Sequence, residues 1–183
     1  MVTLEEKIYD ICLKSKETNP ISLFNLIISI EGIPMHGPIH HFIIPAVFLT
    51  CYNNLYSDNN LKEKLNIASK RAMIVPGGFC ANYGACGAGL GVGIFVSIIT
   101  DNNPLKQKSW SQTIISNAKC QTIIAKNGGP RCCKRNGYLA ILAGIQFAKE
   151  EFNLDFSTTD NIECFKSQEN TSCKKEACLF YKR

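Results

Sequence analysis

The stretch Asn19-Pro-Ile-Ser-Leu-Phe-Asn-Leu-Ile-Ile-Ser-Ile-Glu-Gly32 decides the fold class. Asn19 supplies a capping side chain, and Pro20 occupies the first helical turn, where its missing N–H has no partner to lose. Apolar residues follow at helical spacing (Leu23, Phe24, Leu26, Ile27, Ile30), and Gly32 is a natural C-terminal stop. The same signals recur outward along the chain. Residues 3–15 place Leu4, Ile8, Ile11 and Cys12 on one helical face. Pro38 can open a helix reaching about Asn54, and Asp58 can cap another that carries Leu61, Leu65, Ala68 and Ala72 and ends before Pro76. Pro76, Gly77, Gly78 and Gly84 predict an irregular segment over residues 76–85. A small-residue helix is expected from about Cys86 to Thr100, with Asn102, Asn103 and Pro104 breaking it. Further helices fit 109–126, stopping at Asn127-Gly128-Gly129, and from Pro130 through Cys133, Leu139, Leu142, Ile145 and Phe147. No period-2 strand, internal repeat or low-complexity run is present. The expectation is an all-α fold, six to seven helices in a bundle-like domain over residues 1–155, with a polar, cysteine-rich tail over 156–183 packing on it.

A chain of 183 residues fits one domain, and 45% hydrophobic residues suffice for a core without staples. The net charge of +5 is small and scattered, which argues against nucleic acid as a partner. No secretory signal is read at residues 1–10, where Glu5, Glu6 and Lys7 mark an amphipathic helix. The longest apolar run, Ala85–Thr100, falls short of the roughly 18 residues of a membrane span and is interrupted by glycines. A cytoplasmic location without membrane association is therefore expected. The chain has 10 cysteines, and in a reducing compartment clustered thiols more often bind metal or do redox chemistry than form disulfides.

Three cysteine groups carry the chemistry. The first lies in Pro76-Gly-Gly-Phe-Cys80-Ala-Asn-Tyr-Gly84-Ala-Cys86-Gly87. A cysteine ahead of a helix meets outward-pointing N–H groups and the positive end of the helix dipole, which favour thiolate and anionic iron–sulfur clusters. Gly77, Gly78 and Gly87 let backbone approach a cofactor closely. The second group, Gly128-Gly-Pro-Arg131-Cys132-Cys133-Lys134-Arg135-Asn136, again sets cysteines at a helix start, now among cations. Adjacent helical residues point about 100° apart, so Cys132 and Cys133 are not expected to serve one cavity equally. Arg131 is the cation most suited to hold an anion; Lys134 and Arg135 read more readily as solvated charge. The third group, Cys164, Cys173 and Cys178, matches no zinc-finger spacing. Yet a polar tail needs something to order it, and three thiolates with a fourth from elsewhere could hold zinc or an iron–sulfur centre. Cys12, Cys51 and Cys120 sit among apolar neighbours and read as core thiols.

The histidines cluster in Met35-His36-Gly-Pro-Ile-His40-His41, at a loop-to-helix junction. Imidazole there suits general acid–base work or metal ligation. The alternative is a helix start with one packed and two solvated histidines. The run Gly87-Ala-Gly-Leu-Gly-Val-Gly93 is not a dinucleotide fingerprint: its glycines strictly alternate and no strand precedes it. Close helix packing explains it better.

The motifs Met35-His-Gly-Pro-x-His-His41, Pro76-Gly-Gly-x-Cys80-x5-Cys86-Gly-Ala-Gly and Gly129-Pro-Arg-Cys-Cys133 resemble an uncharacterised cysteine-rich family of anaerobic prokaryotes, found alone or fused to methyltransferase-like domains. A looser likeness links Cys132-Cys-Lys-Arg-Asn136 to the Cys-x-x-Arg-Asn helix start of the helical iron–sulfur serine dehydratase and cysteine desulfidase group. In that group three cysteines bind a [4Fe–4S] cluster and leave one iron open as a Lewis acid. By motif this carries over to Cys132 and, more weakly, to Cys86, and the spacing between them differs from that group's.

The reading that follows is an iron–sulfur protein, a cluster-dependent enzyme of lyase, desulfidase or sulfur-transfer type acting on a small sulfur-containing or anionic substrate. Cys80, Cys86 and Cys132 or Cys133 are its expected ligands, His36, His40 or His41 its acid or base, and Arg131 its anion-holding group. Two alternatives stand beside it: a non-catalytic metal or thiol redox module serving a partner such as a methyltransferase, and a zinc-binding structural domain. A homodimer is compatible with each.

Overall fold

The computed structural model describes residues 2–182, and its helices are α1 (Leu4–Lys14), α2 (Pro20–Ile28), α3 (Ile39–Tyr56), α4 (Leu61–Met73), α5 (Phe79–Asn82), α6 (Gly87–Ile99), α7 (Gln107–Lys126) and α8 (Cys133–Phe152). The fold is all-α, as expected. The count among the described residues is eight rather than six or seven because the loop before Cys86 contains one short helical turn, α5, entered through Gly78 at φ +79°. Asn19 caps α2 by accepting from the Ile21 and Ser22 amides, with Pro20 at the first position. Asp58 does not cap α4; it accepts from the Asn60 amide at 3.3 Å, and Asn60 precedes the helix. Pro130 likewise lies ahead of α8, whose N-cap is Cys132.

Helix α3 is the axis of the molecule. Every residue from Phe42 to Cys51 is buried, as expected of a helix that is apolar on all sides. Phe48 stacks on Phe95 of α6 at 4.9 Å and meets Phe156 edge-on at 5.5 Å. The core thus extends past α8 into the start of the tail. Cys12, Cys51 and Cys120 are buried in it, and burial pushes the Cys12 and Cys120 thiols up to about 12.

The alternating glycines of α6 wedge that helix between two neighbours. Gly87 and Gly91, one helical turn apart, face α3. A Cβ at Gly91 would stand 2.8 Å from Ile44 Cβ and 2.9 Å from Pro45 Cδ. Gly89 and Gly93 face α7, where a Cβ would come within 3.1 Å of Asn117 Oδ1 and 3.5 Å of the Thr113 carbonyl oxygen respectively. Two faces stripped of side chains let both helices approach α6 closely, so the run serves packing.

Tail residues 157–179 contain little apolar surface, and the segment is fastened at its ends. Leu154 and Phe156 are buried on one side, Phe180 on the other. Phe180 lies 5.1 Å from the Tyr138 ring of α8. The Cys164 amide donates to the Phe180 carbonyl at 2.6 Å, within an isolated parallel bridge between Cys164 and Tyr181.

Candidate functional site

Helices α6 and α8 both begin at a cysteine, Cys86 and Cys132 being their N-caps. Their first residues open onto one cavity of about 100 Å³ between the α2–α3 loop, α5 and the two helix starts. Its walls hold His36, His40, His41, Gly77, Gly78, Cys80, Cys86, Gly87, Arg131, Cys132 and Cys133. Residues drawn from three separate sequence motifs therefore share one space. Cys164, Cys173 and Cys178 are not in it; they line a neighbouring cavity, which Cys132 also borders.

Three of the four cavity thiols, Cys86, Cys132 and Cys133, receive donors. Gln121 of α7 clamps Cys86 from both sides: its Oε1 accepts from the Cys86 amide at 2.8 Å and its Nε2 donates to the Cys86 carbonyl at 2.9 Å. Asn136 Nδ2 donates to Cys86 Sγ at 3.4 Å. Cys132 Sγ accepts from the Arg135 amide at 3.4 Å, the side-chain capping geometry of a helix start. The Cys133 thiol receives the Gly37 amide, yet burial is the larger influence and pushes its pKa up.

Lys134 and Arg135 correct the expectation of solvated charge: they are 1% and 4% exposed. Arg135 donates through its NH2 group to the Gly128 and Pro130 carbonyls at 2.7 and 2.8 Å and through Nε to Asn136 Oδ1 at 3.3 Å. The buried guanidinium thereby fixes the loop before α8 and aims the Asn136 amide at Cys86. The Cys-x-x-Arg-Asn pattern is a device for orienting thiols. Arg131 is exposed at the cavity rim and, among the described residues, has no hydrogen-bond or ion-pair partner.

The three histidines separate by environment. His40 is 3% exposed. Its Nδ1 faces the Gly37 carbonyl at 3.1 Å, so Nδ1 carries the proton, and its Nε2 accepts from Lys134 Nζ at 2.7 Å. With both nitrogens engaged, His40 differs from His41, whose Nε2 has no hydrogen-bond partner among the described residues. Burial, then the Lys134 cation, lowers its pKa to about 3. His41 donates from Nδ1 to the Val75 carbonyl at 3.1 Å, leaving Nε2 unprotonated on the side of Gly87. The missing side chain at Gly87 makes room for that ring, because a Cβ there would overlap it. His36 Nδ1 is buried without any hydrogen-bond partner. Burial is the main cause lowering the pKa of both His36 and His41, with Arg131 next for His36.

A pH dependence follows from His40. Its pKa is about 3 in the fold and about 6.5 when unfolded, so between these values the unfolded chain binds more protons. Stability therefore falls as pH drops from about 6.5 toward 3. Thermal melts across this window should show a steep slope in the wild type and a shallower one in His40→Gln, with His36 and His41 accounting for what remains. Equal slopes in the two proteins would disprove the assignment.

Among the described residues no three His, Cys, Asp or Glu side chains are already drawn together around one point as metal ligands, and no helix is long and apolar enough to cross a membrane. Sequence reasoning missed Gln121 and Asn170. Asn170 is buried in the tail and directs Nδ2 at Cys132 Sγ, at 3.7 Å. Neither residue carries a local signal, since a glutamine within a helix and an asparagine in a polar tail look solvated.

Fold and site together define a class: an all-helical, cysteine-rich protein with thiols set at helix starts. The chain belongs to the family of unknown function DUF5714, whose family model matches residues 8–181. This agrees with the resemblance to an uncharacterised family. No curated protein and no solved structure matches the chain.

Proposed function

We propose that the chain is an iron–sulfur enzyme whose cluster is bound by Cys80, Cys86 and Cys133 and whose substrate is a small anion. The observation that carries this reading is the opening of two long helices, one capped by Cys86 and the other beginning at Cys133, onto one cavity. Outward N–H groups and two positive dipole ends suit an anionic, thiolate-bound group. The fit is supported by the orphaned His36 Nδ1, a buried polar atom without a partner in the protein, and by the side-chain-free surface at Gly87. With three protein thiolates, such a cluster supplies one iron free to act as a Lewis acid.

The protein's own residues do the rest. Arg131, exposed and uncommitted at the rim, binds the anionic end of the substrate. His41, neutral at pH 7 and with Nε2 free, takes a proton from it. His40, Lys134 and the Gly37 carbonyl hold the histidine loop, while Gln121, Arg135 and Asn136 hold the thiols. Asn136 also donates to Cys86 Sγ, a contact of the kind that tunes a cluster.

Protein purified without oxygen, or reconstituted with iron and sulfide, should be brown and contain iron with acid-labile sulfide. Cys80→Ser, Cys86→Ser and Cys133→Ser should each lose most of both. Colourless wild-type protein that holds only zinc after attempted reconstitution would overturn the proposal.

A further inference from the structure

The second cavity, about 20 Å³, lies against the first and is lined by Cys132, Cys164, Cys173 and Cys178. It is large enough for about one water-sized body. A cubane cluster is too big for it; a single ion is not. Two of the four thiols receive backbone N–H donors, Cys132 from Arg135 and Cys173 from Lys175, both at 3.4 Å; at Cys164 burial outweighs the favourable influence of the Lys166 amide and pushes the thiol's pKa up. Such donors stabilise sulfur as thiolate. Asn170 Nδ2 adds a further contact to Cys132 Sγ.

The charges around the cavity have the sign such a site requires. Lys134, Arg135, Lys166 and Lys174 all line it. A divalent ion with four thiolates carries a net charge of −2, which these cations offset while each keeps a hydrogen-bond acceptor of its own. The tail that supplies three of the cysteines has little apolar surface to order it, and metal binding is a known substitute for a core in such segments.

We infer that Cys132, Cys164, Cys173 and Cys178 bind one zinc ion, which fastens the C-terminal tail to the start of α8. The thiols are not yet gathered around one point, so loading turns the side chains inward and releases their protons to solvent. The site shares no ligand with the cluster proposed above, and either can fail without the other. It also divides the adjacent pair: Cys133 faces the first cavity, and Cys132, which borders both, turns to the second.

The test uses the full chain carrying Cys80→Ser and Cys86→Ser, titrated anaerobically with Co2+ as the spectroscopic stand-in for zinc. One equivalent should bind with the intense visible bands of tetrahedral cobalt and sulfur-to-metal charge transfer, and Zn2+ should bleach them. Adding Cys164→Ser, Cys173→Ser or Cys178→Ser should abolish the tetrathiolate spectrum while far-ultraviolet circular dichroism keeps its helical signal. A parallel measurement needs no variant: in wild-type protein, zinc should protect Cys164, Cys173 and Cys178 from alkylation as read by mass spectrometry. Bands that survive Cys173→Ser, or alkylation of the tail thiols at the same rate with and without zinc, would overturn the inference. A cobalt site in protein that never accepts an iron–sulfur cluster would refute the cluster proposal alone.

Discussion

Replacing Lys134 with methionine should lower the stability of the protein by about 3 kcal/mol. Lys134 is 1% exposed, and its ammonium donates to the Pro34 carbonyl at 2.6 Å, to the Met35 carbonyl at 3.3 Å and to His40 Nε2 at 2.7 Å. Methionine matches the length of the side chain but donates nothing. Each buried acceptor left alone costs about 1–3 kcal/mol, and the relief of no longer burying a cation offsets part of the sum. Burial also lowers the Lys134 pKa to about 8, so at pH 7 the donor is still mostly charged. The melting temperature should fall by roughly 10 °C at neutral pH, given about 2–4 °C per kcal/mol for a chain of this size. The loss should centre on the histidine loop, seen as faster amide exchange around residues 34–41. A melting temperature within about 2 °C of wild type would show that the three bonds contribute no net stability.

The second large effect is expected at Gly87. A Cβ there would overlap the His41 ring, and the ring is tethered through Nδ1 to the Val75 carbonyl. In Gly87→Val either that hydrogen bond breaks or the start of α6 moves. Overpacking of this kind costs about 1–3 kcal/mol, and it displaces Cys86 and His41 together. The variant should be less stable by that amount and should retain far less iron after reconstitution. Gly77→Ala is the control in the same cavity, where a Cβ would meet only Pro38 carbons at 3.5 and 3.8 Å, an ordinary contact. It should melt within a few tenths of a kcal/mol of wild type. Similar iron retention in the two variants would separate the cavity from metal binding.

The helices were legible in the sequence because their signals are local. The Asn19-Pro20 start, the Gly32 stop and the apolar spacing between them act within a few turns of chain. A cap works on the amides two and three residues ahead, whatever surrounds it. The errors were local too. Asp58 and Asn60 are equally good caps by type, and only the backbone conformation selects between roles. The α6 glycines were legible as packing residues by their strict alternation, but their division between α3 and α7 was not.

The residues lining the cavity were legible by type and less so in their surroundings. Cys80, Cys86, Cys132, Cys133, His36, His41 and Arg131 carry their chemistry in residue type and in the glycines and prolines around them. By sequence His40 is equivalent to its neighbours; in the fold Lys134, 94 residues away along the chain, occupies its second nitrogen. Lys134 and Arg135 looked solvated because charge alone predicts exposure. Their burial rests on carbonyls that only the folded loops present to them.

The sequence by itself determined that this is an all-helical chain in which Cys80, Cys86, Cys132 and Cys133 stand at helix starts, because capping, period and backbone freedom are properties of short segments. Only the tertiary structure decided which thiols are neighbours. Cys86 meets Asn136 and Gln121, and Cys132 meets the tail at Asn170, through packing of α6, α7 and α8. Those encounters are set by the long-range burial of apolar faces, which fixes distances that no spacing along the chain encodes.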